Sequence, residues 1–97
     1  MSEGIVARRY VVTGRVQGVG YRNFVEHTAH KIRLHGYVRN RPDGSVEVLA
    51  MGTPEQLQLL RKALERGPMA ARVSGVGEEP SSLEPRYAES FTIEFTQ

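Results

Sequence analysis

The spacing of apolar positions changes period along the chain, and each change marks an element. Between Arg8 and Val16, Tyr10 and Val12 alternate with Val11 and Thr13, a β-branched run that predicts a strand of mixed faces. From Tyr21 the period becomes helical. Tyr21, Phe24, Val25, Thr28, Ala29 and Ile32 fall on one stripe, while Asn23, Glu26, His27, His30 and Lys31 point away, which predicts a core-facing helix of about three turns. Residues 36–41 are extended again. Arg41-Pro42-Asp43-Gly44 then sets proline at the second turn position and glycine where positive φ is wanted, ahead of a strand from Ser45 to Met51, so this segment reads as a β-hairpin.

Thr53-Pro54-Glu55-Gln56 supplies an N-cap, a proline at the first helical position and a capping-box glutamine. Leu57, Leu60, Ala63 and Leu64 follow on one face, and Gly67-Pro68 ends the helix. Arg72–Glu79 predicts a glycine-weakened strand, 80–90 a Pro/Ser loop, and Phe91, Ile93 and Phe95 a last alternating strand. Strand, helix, strand, strand, helix, strand and one extra strand make the split βαβ pattern of a ferredoxin-like α/β sandwich: a mainly antiparallel sheet with two helices on one face. In that topology the first two strands run the same way and end at the same side of the sheet. The loop after the first strand therefore meets the end of the second, at Asn40.

A chain of 97 residues is long enough for one domain with one core, so residues 1–97 are read as a single domain. The absence of cysteine excludes a disulfide framework, a thiol nucleophile and a thiolate metal site. Residues 1–10 lack the apolar core of a signal peptide and no apolar run approaches membrane length, which leads us to expect a soluble, cytoplasmic protein. The formal charge of +2 conceals an asymmetry: residues 1–45 carry a net +5 and residues 46–97 a net −3. Arg8, Arg9, Arg39 and Arg41 read as a solvated basic face; only Arg22 has a local reason to be functional.

That reason is the stretch from Gly14 to Arg22, which joins strand to helix through a glycine-spaced loop. Gly18 and Gly20 permit positive φ, so successive N–H groups can converge on an anion where the helix N-terminus already favours negative charge. Arg22 adds a planar fork suited to phosphate oxygens. No Gly-Lys-Ser/Thr follows and no third glycine stands at dinucleotide spacing, so nucleotide cofactors are disfavoured. His27, His30 and His35 read as solvated rather than as a metal site, and Asp43 as a turn former rather than a base.

Taken together, Gly14-Arg15-Val16-Gln17-Gly18-Val19-Gly20-Tyr21-Arg22 and the segment Gly36-Tyr37-Val38-Arg39-Asn40-Arg41-Pro42-Asp43-Gly44-Ser45-Val46-Glu47 resemble the acylphosphatase family, over nearly all 97 residues. The family pattern joins Gly-x-Val-Gln-Gly-Val-x-Phe-Arg to Gly-Trp-Val-x-Asn, then Asp/Gly and Val-Glu. Tyr21 replaces the usual Phe and Tyr37 the usual Trp. Arg33 stands where the family often ends its first helix with glycine, a position that costs about 1–2 kcal/mol if held left-handed.

The resemblance implies hydrolysis of acyl phosphates to a carboxylate and inorganic phosphate, without cofactor or metal. The amides of Gln17, Gly18, Val19, Gly20 and Tyr21, with Arg22, are expected to hold the phosphoryl group, and Asn40 to orient the attacking water. Such an enzyme is expected to act as a monomer on a small acyl phosphate, with inorganic phosphate as product and competitive inhibitor and no nucleic-acid or membrane partner. The alternatives are non-catalytic. An RNA-binding module fits the fold and the basic first half, but its stacking aromatics belong on the third strand, where Ser45–Met51 has none. A carbamoyl-phosphate-processing module, of the kind fused to larger maturation proteins, would keep the same loop.

Overall fold

The computed structural model describes residues 4–95. Its elements run β1 (Val6–Arg15), α1 (Tyr21–Lys31), β2 (His35–Asn40), β3 (Val46–Gly52), α2 (Pro54–Arg66), β4 (Arg72–Ser81), a 3-10 turn (Pro85–Tyr87) and β5 (Phe91–Ile93). The five strands form one sheet in the order β4-β1-β3-β2-β5. Among the described residues its one parallel pair is β2–β5. This is the expected ferredoxin-like α/β arrangement. Both β1 and β2 pair antiparallel with β3, from Val6↔Gly52 to Val12↔Val46 and from His35↔Met51 to Asn40↔Val46. They consequently run in one direction and end on the same side of the sheet.

Helical periodicity on α1 and α2 meets strand alternation on the sheet to make the main core. Tyr10, Val12, Val25, Val38, Val48, Leu60 and Leu64 are fully buried there. α2 buries Leu57, Leu60, Ala63 and Leu64, the stripe its spacing predicts. Its N-terminus is closed by the predicted capping box: Gln56 N–H donates to Thr53 Oγ1 at 3.2 Å, and Thr53 N–H donates to Gln56 Oε1 at 2.8 Å.

β4 and β5 lie at opposite edges of the sheet, so residues 82–90 have to cross it, and they do so over the face without helices. Tyr87 packs on Tyr37 with ring centroids 5.1 Å apart, and Ala7, Leu49, Met51 and Tyr87 form a second small core beneath the crossing. β3 is buried along its whole length as a result. β4 runs two residues further than expected, through Pro80. That is compatible with an edge strand, which can spare a donor. β5 stops at Ile93, leaving Phe95 outside the ladder and 88% exposed.

The end of α1 resolves the expectation about Arg33. Its φ is 63°, and among the described residues it is the one non-glycine with positive φ. Arg33 N–H donates to His30 C=O at 3.2 Å and Leu34 N–H to Ala29 C=O at 2.9 Å, the paired bonds of a Schellman close. Leu34 and Ala29 share the core that this geometry requires. The arginine is held left-handed because the leucine after it is buried.

Candidate active site

Val16, the residue after β1, is fully buried, which fixes where the glycine loop begins. Gly18 and Gly20 then take φ of 74° and 80°, and Gly20 forms the left-handed N-cap of α1. A Cβ added at either would meet nothing within 4 Å, so glycine is needed for backbone conformation and the space above the loop is open. The N–H groups from Gln17 to Asn23 find no acceptor among the described residues; the first intrahelical bond is Phe24 N–H to Gly20 C=O at 3.1 Å. Those donors lie at the positive end of α1, whose first turn contains no acidic residue.

Arg22 lies in that first turn, half-buried, and makes no ion pair with a described residue. A cation there is repelled by the helix dipole, an arrangement that becomes favourable only when an anion sits between them. Tyr21 anchors the turn from below. Its buried hydroxyl donates to Leu64 C=O at 2.7 Å, and burial raises its pKa well above the ordinary tyrosine value.

The expected meeting of the loop with the end of β2 occurs, and a side chain makes it. Gln17 Nε2 donates to Arg41 C=O and to Ser45 C=O, each at 2.8 Å, one residue beyond Asn40 and one before its partner Val46. Asn40 itself is half-buried, and its Oδ1 is shielded from solvent with no hydrogen-bond partner among the described residues. An orphaned buried acceptor costs about 1–3 kcal/mol. A half-turn of the amide plane exchanges Oδ1 with Nδ2, so the same side chain can offer either a donor or an acceptor to a molecule seated above the loop. Beyond it, Asp43 accepts from Ser45 N–H at 2.9 Å and Ser45 Oγ at 2.6 Å. The Ser45 hydroxyl first, then its N–H, lowers the Asp43 pKa. Asp43 is thus the turn former expected from its position.

Other charged residues sort away from this site. Arg39, read as part of a solvated face, instead grips buried Glu47: its Nε and Nη2 lie 3.1 and 3.0 Å from Glu47 Oε1. Tyr37 donates to Glu47 Oε2 at 2.6 Å, so the tyrosine in place of tryptophan brings a hydrogen bond as well as packing. Arg8 and Arg9 also pair with acids, at 3.5–3.9 Å. A cleft of about 450 Å³ beside this network is lined by Arg9, Tyr37, Arg39 and Arg86, on the helix-free face. Crossed by residues 82–90, that face is covered where an RNA-binding sheet would be open. The three histidines do not converge: His30 Nε2 lies 3.3 Å from Phe91 C=O, His27 is exposed on α1, and His35 opens β2. No cluster of three or more His, Cys, Asp or Glu that could hold a metal ion occurs among the described residues.

Comparison with known proteins bears on the chain as a whole. The acylphosphatase family model matches residues 8–93. The chain belongs to the acylphosphatase family. It is 52% identical over 96 residues to the acylphosphatase of Koribacter versatilis, covering 99% of this chain and 86% of that one. It also superposes on the crystal structure of the Bacillus subtilis acylphosphatase with a TM-score of 0.86 at 37% identity, covering 94% and 99% of the two chains. A further superposition, on 13% of full-length HypF at 24% identity with a TM-score of 0.88, is a likeness of fold alone. As an acylphosphatase, the protein is an acid-anhydride hydrolase that cleaves the carboxyl–phosphate bond of acyl phosphates. Among the described residues, no helix is long and apolar enough to cross a membrane.

Two structural features, one at the site and one away from it, carry no signal in the sequence. The sequence points only to the backbone amide of Gln17, and nothing local signals that its carboxamide bridges to a hairpin 24 and 28 residues away. Burial of Glu47 was equally hidden, because an acid in an alternating strand ordinarily marks the wet face.

Proposed function

We propose that the amides of Gln17, Gly18, Val19, Gly20 and Tyr21 hold the phosphoryl oxygens together with Arg22, and that Asn40 orients the water. The oxygen of that water bonds to phosphorus as the bond from phosphorus to the acyl oxygen breaks. The carboxylate leaves with its electron pair, and the water proton passes to solvent. A carboxylate is a weak base, so its departure requires no general acid. Phosphoryl transfer through a loose transition state needs alignment and charge stabilisation above all, which this constellation offers without a nucleophile or metal.

The orphaned Asn40 Oδ1, beside seven N–H groups without acceptors, is the observation that carries this reading. Inorganic phosphate, carrying the recognised group, then binds the same cradle and competes with substrate. All these groups come from one chain, which suits a monomer, and the cytoplasmic location expected from the sequence belongs to the same proposal.

The test is steady-state hydrolysis of benzoyl phosphate by wild type and Asn40→Ala, with a phosphate monoester as control. Wild type should hydrolyse the acyl phosphate rapidly and the monoester poorly, with or without EDTA. Asn40→Ala should lower kcat by at least tenfold, while the inhibition constant for phosphate changes little. A variant with wild-type kcat removes Asn40 from the mechanism.

A further inference from the structure

Gln17 has only two side-chain N–H bonds, and both are committed to the hairpin that carries Asn40. One goes to Arg41 C=O, which also accepts Gly44 N–H at 3.1 Å; the other goes to Ser45 C=O, which also accepts Arg41 N–H at 2.9 Å. Each carbonyl thus has both lone pairs engaged, and each donor has one partner. The resulting network closes on itself. Asp43 stiffens it further through its two bonds to Ser45, leaving the end of the hairpin little freedom to shift.

The backbone of the same Gln17 opens the phosphate loop. A single residue therefore joins the two halves of the site: the amides that hold phosphorus and the strand end that presents the Asn40 amide. β1 and β2 are not neighbours in the sheet, since β3 lies between them. Their relative position at this end otherwise depends on pairings that stop at Val12↔Val46 and Asn40↔Val46. Beyond those pairings β1 is held by β4 as far as Arg15 and by the burial of Val16, but between the loop itself and the hairpin the Gln17 carboxamide supplies the only side-chain hydrogen bonds among the described residues.

We infer that Gln17 is a positioning residue, whose carboxamide sets the distance between the held phosphoryl group and the water at Asn40. This rests on the roles proposed for the loop and Asn40. A misplacement on the order of 1 Å in such an alignment lowers rates by about a hundredfold, whereas binding of a lone phosphate depends on the loop amides and Arg22 alone. Loss of the strap should accordingly appear in kcat and not in phosphate affinity.

The experiment measures kcat and KM for benzoyl phosphate and the inhibition constant for inorganic phosphate in Gln17→Leu, Asn40→Ala and the double variant, with folding checked by circular dichroism. Gln17→Leu should lower kcat about tenfold to a hundredfold with phosphate inhibition within about threefold of wild type. In the Asn40→Ala background the same substitution should change kcat by less than about threefold, because no oriented water remains to be misaligned. Additive losses, or a fall in phosphate affinity matching the fall in kcat, would assign Gln17 to general loop integrity and overturn the inference. Should Gln17→Leu not fold, Gln17→Glu keeps the shape but sets a carboxylate against two carbonyls. Its kcat deficit should shrink as pH falls and the acid form regains one donor, and a pH-independent deficit would overturn the inference. Wild-type activity with an inert Asn40→Ala substitution would instead remove the underlying reading, a result distinct from either.

Discussion

Arg22 and Arg33 sit at opposite ends of α1 and depart from local preference for different reasons. Arg22 opposes the helix dipole in a turn with no acid to balance it, which suits a residue waiting for an anion. Lysine there keeps the charge and discards the fork. Arg22→Lys should therefore lose a charge-assisted hydrogen bond worth about 1.5–3 kcal/mol, a tenfold to hundredfold effect visible in kcat, KM and phosphate inhibition together. Near-normal values for all three in a folded variant would return Arg22 to the helix surface. Arg33 is the simpler case, an exposed side chain with a φ of 63°. Arg33→Gly should relieve about 1–2 kcal/mol of left-handed cost while adding about 0.5–1 kcal/mol of unfolded-state entropy. A net gain of about 0.5–1 kcal/mol, or a Tm rise of a few degrees, is expected with kcat unchanged. A lower Tm would mean that the arginine side chain contributes more than its backbone costs.

Elements whose signals are local could be read from the sequence, and those fixed by distant partners could not. α2 is the clearest case: cap, proline, apolar stripe and glycine stop all lie within fifteen residues, and every position behaves as its spacing predicts. The course of the loop into α1 was legible for the same reason, because Gly18 and Gly20 carry their meaning in backbone conformation. The crossing of residues 82–90 was not legible, since its course is dictated by β4 and β5 occupying opposite edges. The polar face of α1 yields a prediction of its own. His27, His30 and His35 are spread over a helix surface and a strand start, so replacing all three with glutamine should preserve turnover of benzoyl phosphate. Loss of the His30 contact to Phe91 C=O should show only as a small fall in Tm. A folded, inactive triple variant would require a base that Asn40 does not provide.

At the scale of the molecule, the sheet is stitched on its helix-free face by one buried acid. Glu47 lies on central β3 and receives Tyr37 and Arg39 from β2, with Arg9 of β1 3.9 Å away. Burial alone would raise its pKa, but the Tyr37 hydroxyl, then Arg39 and Arg9, outweigh it and hold the carboxyl below its ordinary 4.5. Tyr37 is pushed up to about 12, by burial first and then by its bond to Glu47. The signs follow by linkage. A depressed carboxylate contributes stability above its unfolded value near 4.5 and loses it as pH falls through the lower folded value, whereas a raised tyrosine contributes below 10 and loses that between about 10 and 12. Glu47→Gln keeps the shape and removes the charge, so it should be less stable at pH 7 by about 1.5–3 kcal/mol, the worth of a charge-assisted hydrogen bond. Its deficit should shrink as pH drops below 4.5, because the wild type then protonates the same carboxyl while the variant has nothing there to titrate. Urea unfolding from pH 3 to 7 reads this directly: parallel curves with a constant offset would mean that packing, and not the ionised acid, holds this face together.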